Sequence, residues 1–239
     1  ASSVGGTSAT TGGNVTDAGI PTCSSRGVYW GTTSGSQPNF VSSGSGGGTF
    51  NANITGLSRG TTYYFKAGAY NSSGGWKYGS VLNFTTTSDV PTVTTNSITN
   101  ITPLSATLGG NVTNENGASV TERGICYNTT GSPTISDTKD TNGTGAGSFS
   151  ETVSGFSPNT TYYVRAYATN SVGTSYGTEL SFTTLQGTPE VTTSSTVSSI
   201  TTSGATLNGE VVSDNGSTIT ERGFVYDTSS GPTTSGSKK

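Results

Sequence analysis

The sequence predicts an all-β protein made of tandem immunoglobulin-like β-sandwich repeats, and three observations carry that prediction. Apolar residues fall in period-two clusters, such as Tyr63, Phe65, Ala67 and Ala69. The same short motifs return at a fixed distance along the chain. No window shows helical periodicity of useful length.

The repeat is read from its markers. Arg26-Gly27 recurs as Arg123-Gly124 and Arg222-Gly223, at spacings of 97 and 99 residues. Thr61-Thr62-Tyr63-Tyr64 returns as Thr160-Thr161-Tyr162-Tyr163, and Asn83-Phe84-Thr85-Thr86 as Ser181-Phe182-Thr183-Thr184. Such a period suits one β-sandwich of about 100 residues. The expected division is an incomplete repeat over 1–88 lacking its first strand, a complete repeat over 89–186, and the N-terminal part of a third over 187–239.

The middle copy is legible strand by strand. Val93–Ile98 is a first strand; Ala106–Val112 is a second, with Ala106, Leu108 and Val112 on one face. Glu122–Asn128 is a third, with Ile125 and Tyr127 inward and Cys126 on the opposite face. A Gly/Asp/Asn/Thr-rich stretch follows and reads as a loop. Phe149–Val153 and Thr161–Ala168 come next, and Glu179–Thr183 closes the copy. In the long strand Tyr162, Val164, Ala166 and Ala168 face one way, Tyr163, Arg165 and Tyr167 the other. Trp30, Tyr127 and Tyr226 share one position of the third strand; Val28, Ile125 and Phe224 share another.

Composition agrees with a folded but thinly cored chain. Only 28% of residues are hydrophobic and 10% charged, while Ser and Thr together number 86 of 239. Low hydrophobicity alone would suggest disorder, but the net charge of −3 is too small to hold a chain extended, and Thr is a good strand former. No segment reaches the length of a membrane-spanning helix, so no membrane insertion is expected of this segment, and Ala1 does not begin a signal peptide. Dispersed Lys and Arg with a pI near 4.8 argue against nucleic acid as a partner. Cys23 and Cys126 stand at non-equivalent positions of different repeats and read as two isolated thiols.

Phe156-Ser157-Pro158-Asn159-Thr160-Thr161-Tyr162, with Leu57 to Tyr63 in the first copy, resembles the turn into the sixth strand of fibronectin type III domains. There a tyrosine hydroxyl bonds back to the upstream backbone. Ala168 to Gly173 is similar to the last hairpin of that family. Glu122-Arg123-Gly124 and Glu221-Arg222-Gly223, each followed by a Gly/Pro/Thr stretch, resemble a variant found in tandem arrays on bacterial surface and secreted proteins. The resemblance implies a β-sandwich with a structural, extracellular or cell-surface role. It departs at the second strand, which has Gly110 and Gly209 near the place of the usual tryptophan. The integrin-binding Arg-Gly-Asp triplet is absent.

Candidate chemistry is sparse. Without histidine, every Ser-His-Asp, Cys-His or His-metal arrangement is excluded. Glu122 and Glu221 each adjoin an arginine and read as ion pairs or solvated edges; no facing pair of carboxylates suggests glycoside hydrolysis. Asp137 to Gly143 offers oxygen ligands of calcium type, but its spacing fits no helical calcium loop and Lys139 opposes a cation. Gly44 to Gly48 lacks the Lys-Ser/Thr partner of a phosphate loop and reads as a flexible hairpin loop. No enzyme activity and no cofactor are expected.

Three surface features remain. Asn-X-Ser/Thr acceptors for sugar stand at Asn14, Asn53, Asn71, Asn83, Asn100, Asn111, Asn128, Asn142, Asn159 and Asn215. Tyr64, Tyr70, Trp76 and Tyr78 make an aromatic group suited to stacking on sugar rings or on a neighbouring repeat. The copies read as cut at both ends, which fits a window on a longer array. It also fits a subunit that polymerises head to tail by strand donation, with Val191 to Val197 as the donor. The expected role is a structural subunit or segment of an extracellular fibre, cell-surface stalk or adhesin. The expected partners are copies of itself, neighbouring repeats and glycans. The alternative is a spacer or carbohydrate-binding module of a larger secreted hydrolase.

Overall fold

Alternation of β-branched and apolar residues with polar ones produces strands throughout, and no helix occurs among the described residues. The structure, a computed structural model, describes residues 1–235 and 237–238. The first sandwich contains β1 (Ser8–Val15), β2 (Ser25–Gly31), β3 (Asn39–Ser42), β4 (Gly48–Thr55), β5 (Thr62–Asn71), β6 (Gly75–Tyr78) and β7 (Leu82–Thr85). The second contains β8 (Thr92–Thr95), β9 (Ser105–Asn114), β10 (Glu122–Asn128), β11 (Thr138–Thr141), β12 (Gly147–Ser154), β13 (Thr161–Thr169), β14 (Thr174–Tyr176) and β15 (Leu180–Thr183). The remaining strands are β16 (Glu190–Thr193), β17 (Gly209–Ser213), β18 (Val225–Tyr226) and β19 (Ser237–Lys238).

The second sandwich packs a three-stranded sheet, β12-β9-β8, on a sheet of order β11-β10-β13-β14 in which β15 also pairs with β13. All pairings are antiparallel. The first sandwich repeats this plan as β1-β4 on β3-β2-β5-β6, with β7 pairing β5. In the last segment β16 pairs β17 and β18 pairs β19.

Period-two burial follows from this packing. Leu108, Val112, Ile125, Val164, Ala166 and Ala168 meet between the sheets of the second sandwich, all essentially excluded from water. Each large apolar side chain so buried contributes about 1.5–3 kcal/mol. Aromatic rings close one end: Phe156 lies 4.5 Å from Tyr162, 5.3 Å from Tyr127 and 5.4 Å from Phe182, centroid to centroid. In the first sandwich Trp30, Tyr63 and Phe84 form the corresponding layer, with Leu57 at the Phe156 position.

The tyrosine corner is present twice. The Tyr63 hydroxyl accepts the Ser58 N–H at 2.9 Å, and that of Tyr162 accepts the Ser157 N–H at 3.0 Å. Thr86 and Thr184 tie the same turn to the last strand. Their hydroxyls accept Thr61 N–H and Thr160 N–H and donate to the carbonyls of Ser58 and Ser157.

Several local expectations change. Ile98 lies outside β8, which ends at Thr95, because the chain leaves the ladder there to make an isolated bridge between Thr99 and Thr107. The Asp137–Gly143 stretch is no calcium loop: its centre is β11, hydrogen-bonded along β10, with Lys139 beside Cys126. Among the described residues no group of three or more His, Cys, Asp or Glu is placed to hold a metal. The Gly44–Gly48 loop is tied down rather than loose. Arg26 reaches across it and donates to the carbonyls of Ser43, Gly46, Gly47 and Gly48 at 2.7–3.4 Å.

Candidate functional site

The recurring Arg-Gly pair explains that loop. Arg123 repeats the arrangement of Arg26, donating to the carbonyls of Asn142, Gly145, Ala146 and Gly147 at 2.8–3.2 Å. Each guanidinium also lies over a phenylalanine ring, Phe50 or Phe149, 5.2 Å from the centroid. The glycine after the arginine is needed because a Cβ on Gly124 would come 2.0 Å from the Asp140 carbonyl, and one on Gly27 2.2 Å from that of Val41. The motif is a staple for the loop entering β4 and β12, not a binding triplet.

The outer face of the first sandwich carries an aromatic patch. Tyr29 on β2 sits 4.7 Å from Phe40 on β3, 5.4 Å from Trp76 and 5.3 Å from Tyr78 on β6. Trp76 and Tyr78 lie parallel at 6.3 Å, and Tyr70 closes on Trp76 at 5.6 Å. Lys66 stands over the Tyr78 ring at 4.5 Å. Gly68 makes room beneath: a Cβ there would come 3.0 Å from Tyr29 and 3.3 Å from Tyr78. The sequence group Tyr70, Trp76 and Tyr78 is thus brought together, but Tyr64 shares only the strand face and joins none of these ring contacts. The patch also takes in Tyr29 and Phe40, which the sequence group does not contain: Tyr29 is outward by the alternation of β2, while Phe40 lies on the short edge strand β3 that alternation does not mark.

The same face of the second sandwich has another chemistry. Cys126 takes the place of Tyr29, Lys139 that of Phe40, Tyr167 that of Gly68 and Arg165 that of Lys66. Tyr167 donates to the Glu122 carboxylate at 2.6 Å, and Lys139 reaches the same oxygen at 2.6 Å. These two bonds hold the Glu122 carboxyl below its ordinary range. Tyr167 is fully buried on what the alternation makes an outer face, because Lys139 lies over it at 5.5 Å and long side chains cover it. Burial pushes the Cys126 thiol up to about 11, so it is an inert thiol beneath this layer. Cys23 is also buried and free.

The joints between successive sandwiches are built alike. At the first, the Asp89 N–H donates to the Asn116 carbonyl at 3.0 Å, and the Asn116 side-chain amide donates to the Val90 carbonyl at 2.7 Å. At the second, Gly187 N–H donates to the Asn215 carbonyl at 2.9 Å, and the Asn215 amide to the Thr188 carbonyl at 2.6 Å. The linkers are pinned on their other side too, Thr87 N–H to Gly5 and Leu185 N–H to Thr102. Asn116-Gly117 and Asn215-Gly216 all have positive φ, which Asn and Gly tolerate best. At Gly117 a Cβ would meet the Arg59 backbone at 2.5 Å, so the two units touch backbone to backbone there. The first joint adds an Arg59–Asp89 ion pair at 3.4 Å; the second adds a bond from the Asn159 amide to the Gly216 carbonyl at 3.2 Å.

None of the ten candidate sugar acceptors is buried. Asn14, Asn53, Asn83, Asn100 and Asn159 are exposed, and Asn71, Asn111, Asn128, Asn142 and Asn215 are partly covered. The Asn100 amide donates to the Thr107 hydroxyl and that of Asn128 to the Gly131 carbonyl, while those of Asn159 and Asn215 serve the second joint. Val191 lies in β16 and Val197 beyond it, both exposed. Val191 lines an open cleft of about 720 Å³ beside Phe224.

No protein-family model matches the chain, and no curated protein matches it. Solved structures do resemble it. A two-domain fibronectin type III segment of chicken tenascin is 16% identical, with a TM-score of 0.39 over 77% of this chain and 95% of that one. The FN1–FN3 domains of chicken CNTN1 are 14% identical, with a TM-score of 0.40 over 80% of this chain and 68% of that one. The sensor domain of the anti-sigma factor RsgI4 of Pseudobacteroides cellulosolvens is 20% identical. Its TM-score is 0.32, over 41% of this chain and 96% of that one. The architecture is a tandem array of fibronectin type III-like sandwiches, as sheet order and the two tyrosine corners show independently. No helix among the described residues is long and apolar enough to cross a membrane.

Proposed function

We propose that this chain is a load-bearing segment of an extracellular fibre or cell-surface stalk, in which sandwiches are strung at a fixed step and orientation. The observation that carries the reading is the recurrence of one joint. The linker N–H to Asn carbonyl, the Asn amide to linker carbonyl and the linker N–H to the preceding sandwich all appear at both junctions. A flexible spacer needs no such repetition. A stiff rod does, because angular error accumulates along an array. Low charge and abundant hydroxyls keep such a rod hydrated, and exposed Asn-X-Ser/Thr sites support its decoration by glycans outside the cell. Intact mass of the native material reads that decoration directly.

The test is small-angle scattering of the purified chain beside Gly117→Val, which drives a side chain into the Arg59 backbone. The parent should give a pair-distance distribution with distinct, salt-independent inter-domain maxima, and the variant should smear the first of them. A parent as smeared as the variant would remove the reading.

A second reading, that of a carbohydrate-binding module within a larger secreted hydrolase, is favoured by the Tyr29, Phe40, Trp76 and Tyr78 patch. Such rings stack on pyranose faces. It predicts retardation in polysaccharide gels that Trp76→Ala abolishes; migration equal to that variant on every polysaccharide tried would discard it.

A further inference from the structure

The dipeptide that closes each joint is also one in which a polypeptide readily attacks itself. Asparagine before glycine is labile because no side chain on the glycine shields its nitrogen from the asparagine amide carbon. The first joint cannot avoid the pairing. Asn116 (φ 55°) and Gly117 (φ 85°) both turn left-handed, and a Cβ on Gly117 would come 2.5 Å from the Arg59 carbonyl carbon.

Gly117 is exposed, and its N–H meets no acceptor among the described residues. The Asn116 side chain is half-buried and holds its amide hydrogens in bonds, to the Val90 carbonyl at 2.7 Å and the Thr92 hydroxyl at 3.0 Å. At the second joint the nitrogen is engaged instead, because the Gly216 N–H donates to the Asp214 carboxylate at 3.0 Å. The first joint thus presents a free nitrogen to water, beside an amide carbon that is latched only while the joint is shut.

We propose that Asn116-Gly117 is a self-modification site whose reaction unlocks the first joint irreversibly, an inference that rests on the rod reading. When the amide lets go of Val90 and Thr92, its carbon swings onto the Gly117 nitrogen. The N–Cγ bond forms, the Gly117 proton passes to solvent, and the Cγ–Nδ2 bond breaks with the nitrogen leaving as ammonia. Water then opens the cyclic imide at either carbonyl, giving aspartate or isoaspartate; water is the sole co-reactant. Either product spoils the joint. Aspartate sets a carboxylate oxygen where an N–H met the Val90 carbonyl. Isoaspartate routes the main chain through Cβ and Cγ. That adds a methylene at the contact with Arg59 and turns the carbonyl that accepts the Asp89 N–H into a free carboxylate. Neither sandwich core is touched, so both units stay folded while the step between them is lost.

The test ages the full chain in warm, mildly alkaline buffer, with a parallel sample in urea for the unlatched rate. Peptide mapping should find the amide-to-acid mass gain at Asn116, with isoaspartate in excess, at a rate several-fold slower in the native chain than in urea. Scattering at the same time points should show the first inter-domain maximum fading in proportion to that conversion, while thermal melting stays constant. Asn116→Asp installs one product from the outset and should lack the maximum when fresh. No conversion at Asn116 in the native chain, conversion as fast folded as in urea, or an Asn116→Asp chain that scatters like the fresh parent each overturns the proposal. A sharp maximum that outlasts conversion sinks this inference and leaves the rod standing. A fresh parent without maxima removes both.

Discussion

Replacing Arg123 by alanine should loosen the second sandwich. The guanidinium Nε donates to Asn142, and Nη1 is shared among Gly145, Ala146 and Gly147. Those contacts amount to about three bonds. A bond from a charged donor contributes about 1.5–3 kcal/mol when its acceptor is buried, and less here because the loop carbonyls regain water. The stack on Phe149 adds about 0.5–1 kcal/mol. The expected loss is about 2–4 kcal/mol, equivalent to a fall in Tm of about 10–25 °C for a domain of this size. Arg123→Lys keeps the charge and loses the fork, so about half the loss should remain. The buried thiol of Cys126 gives a local reporter: in a Cys23→Ser background, pulse labelling across a urea series reads the opening of this sandwich alone. A midpoint shifted by less than about 1 kcal/mol, or a lysine variant equal to the parent, would show that the arginine merely decorates the loop.

Other expectations are smaller in scale. Tyr162→Phe removes the acceptor of Ser157 N–H and should cost about 1 kcal/mol by urea titration, with Tyr63→Phe matching it in the first sandwich. Glu122 has a lowered carboxyl pKa through Lys139 and Tyr167, so its contribution is present above the unfolded value near 4.5 and is lost as pH falls through the folded one. Lys139→Met should therefore flatten the acid limb of a stability-against-pH curve, and an unchanged limb would contradict the assignment. Cys126, with its thiol raised to about 11, should resist alkylation at pH 8 in the native chain and react at once in urea.

What the sequence shows of this fold is what alternation can show. Glu122–Asn128 has the bounds read from its residues, and the inward set Val164, Ala166 and Ala168 is the observed core of β13. β3 and β11 were hidden because they are short edge strands: Thr-Lys-Asp-Thr has no buried apolar member to mark a period. Tyr167 is outward by parity yet buried, because its coverage by Lys139 comes from β11, a strand not adjacent in sequence, and not from local pattern. The joints were invisible for a different reason. They are made mostly of backbone donors and acceptors, which every residue carries, so only the repeated Asn-Gly at 116–117 and 215–216 hinted at them.

The comparison between copies separates what the fold demands from what it leaves free. The tyrosine corner, the arginine staple and the joint are the same in both sandwiches, whereas the inner positions stay buried but change residue, with Phe65 against Val164 and Leu57 against Phe156. The outer faces differ completely: an open ring cluster over Gly68 in one, and a closed Tyr167–Glu122–Lys139 layer in the other. A face constrained by packing alone would drift toward polar residues, since exposed aromatic rings bring no stability and invite association. Phe40 and Tyr78 are exposed on the first sandwich, against a sealed counterpart on the second, so the proposed contact with sugars or a neighbouring surface would fall on the first unit.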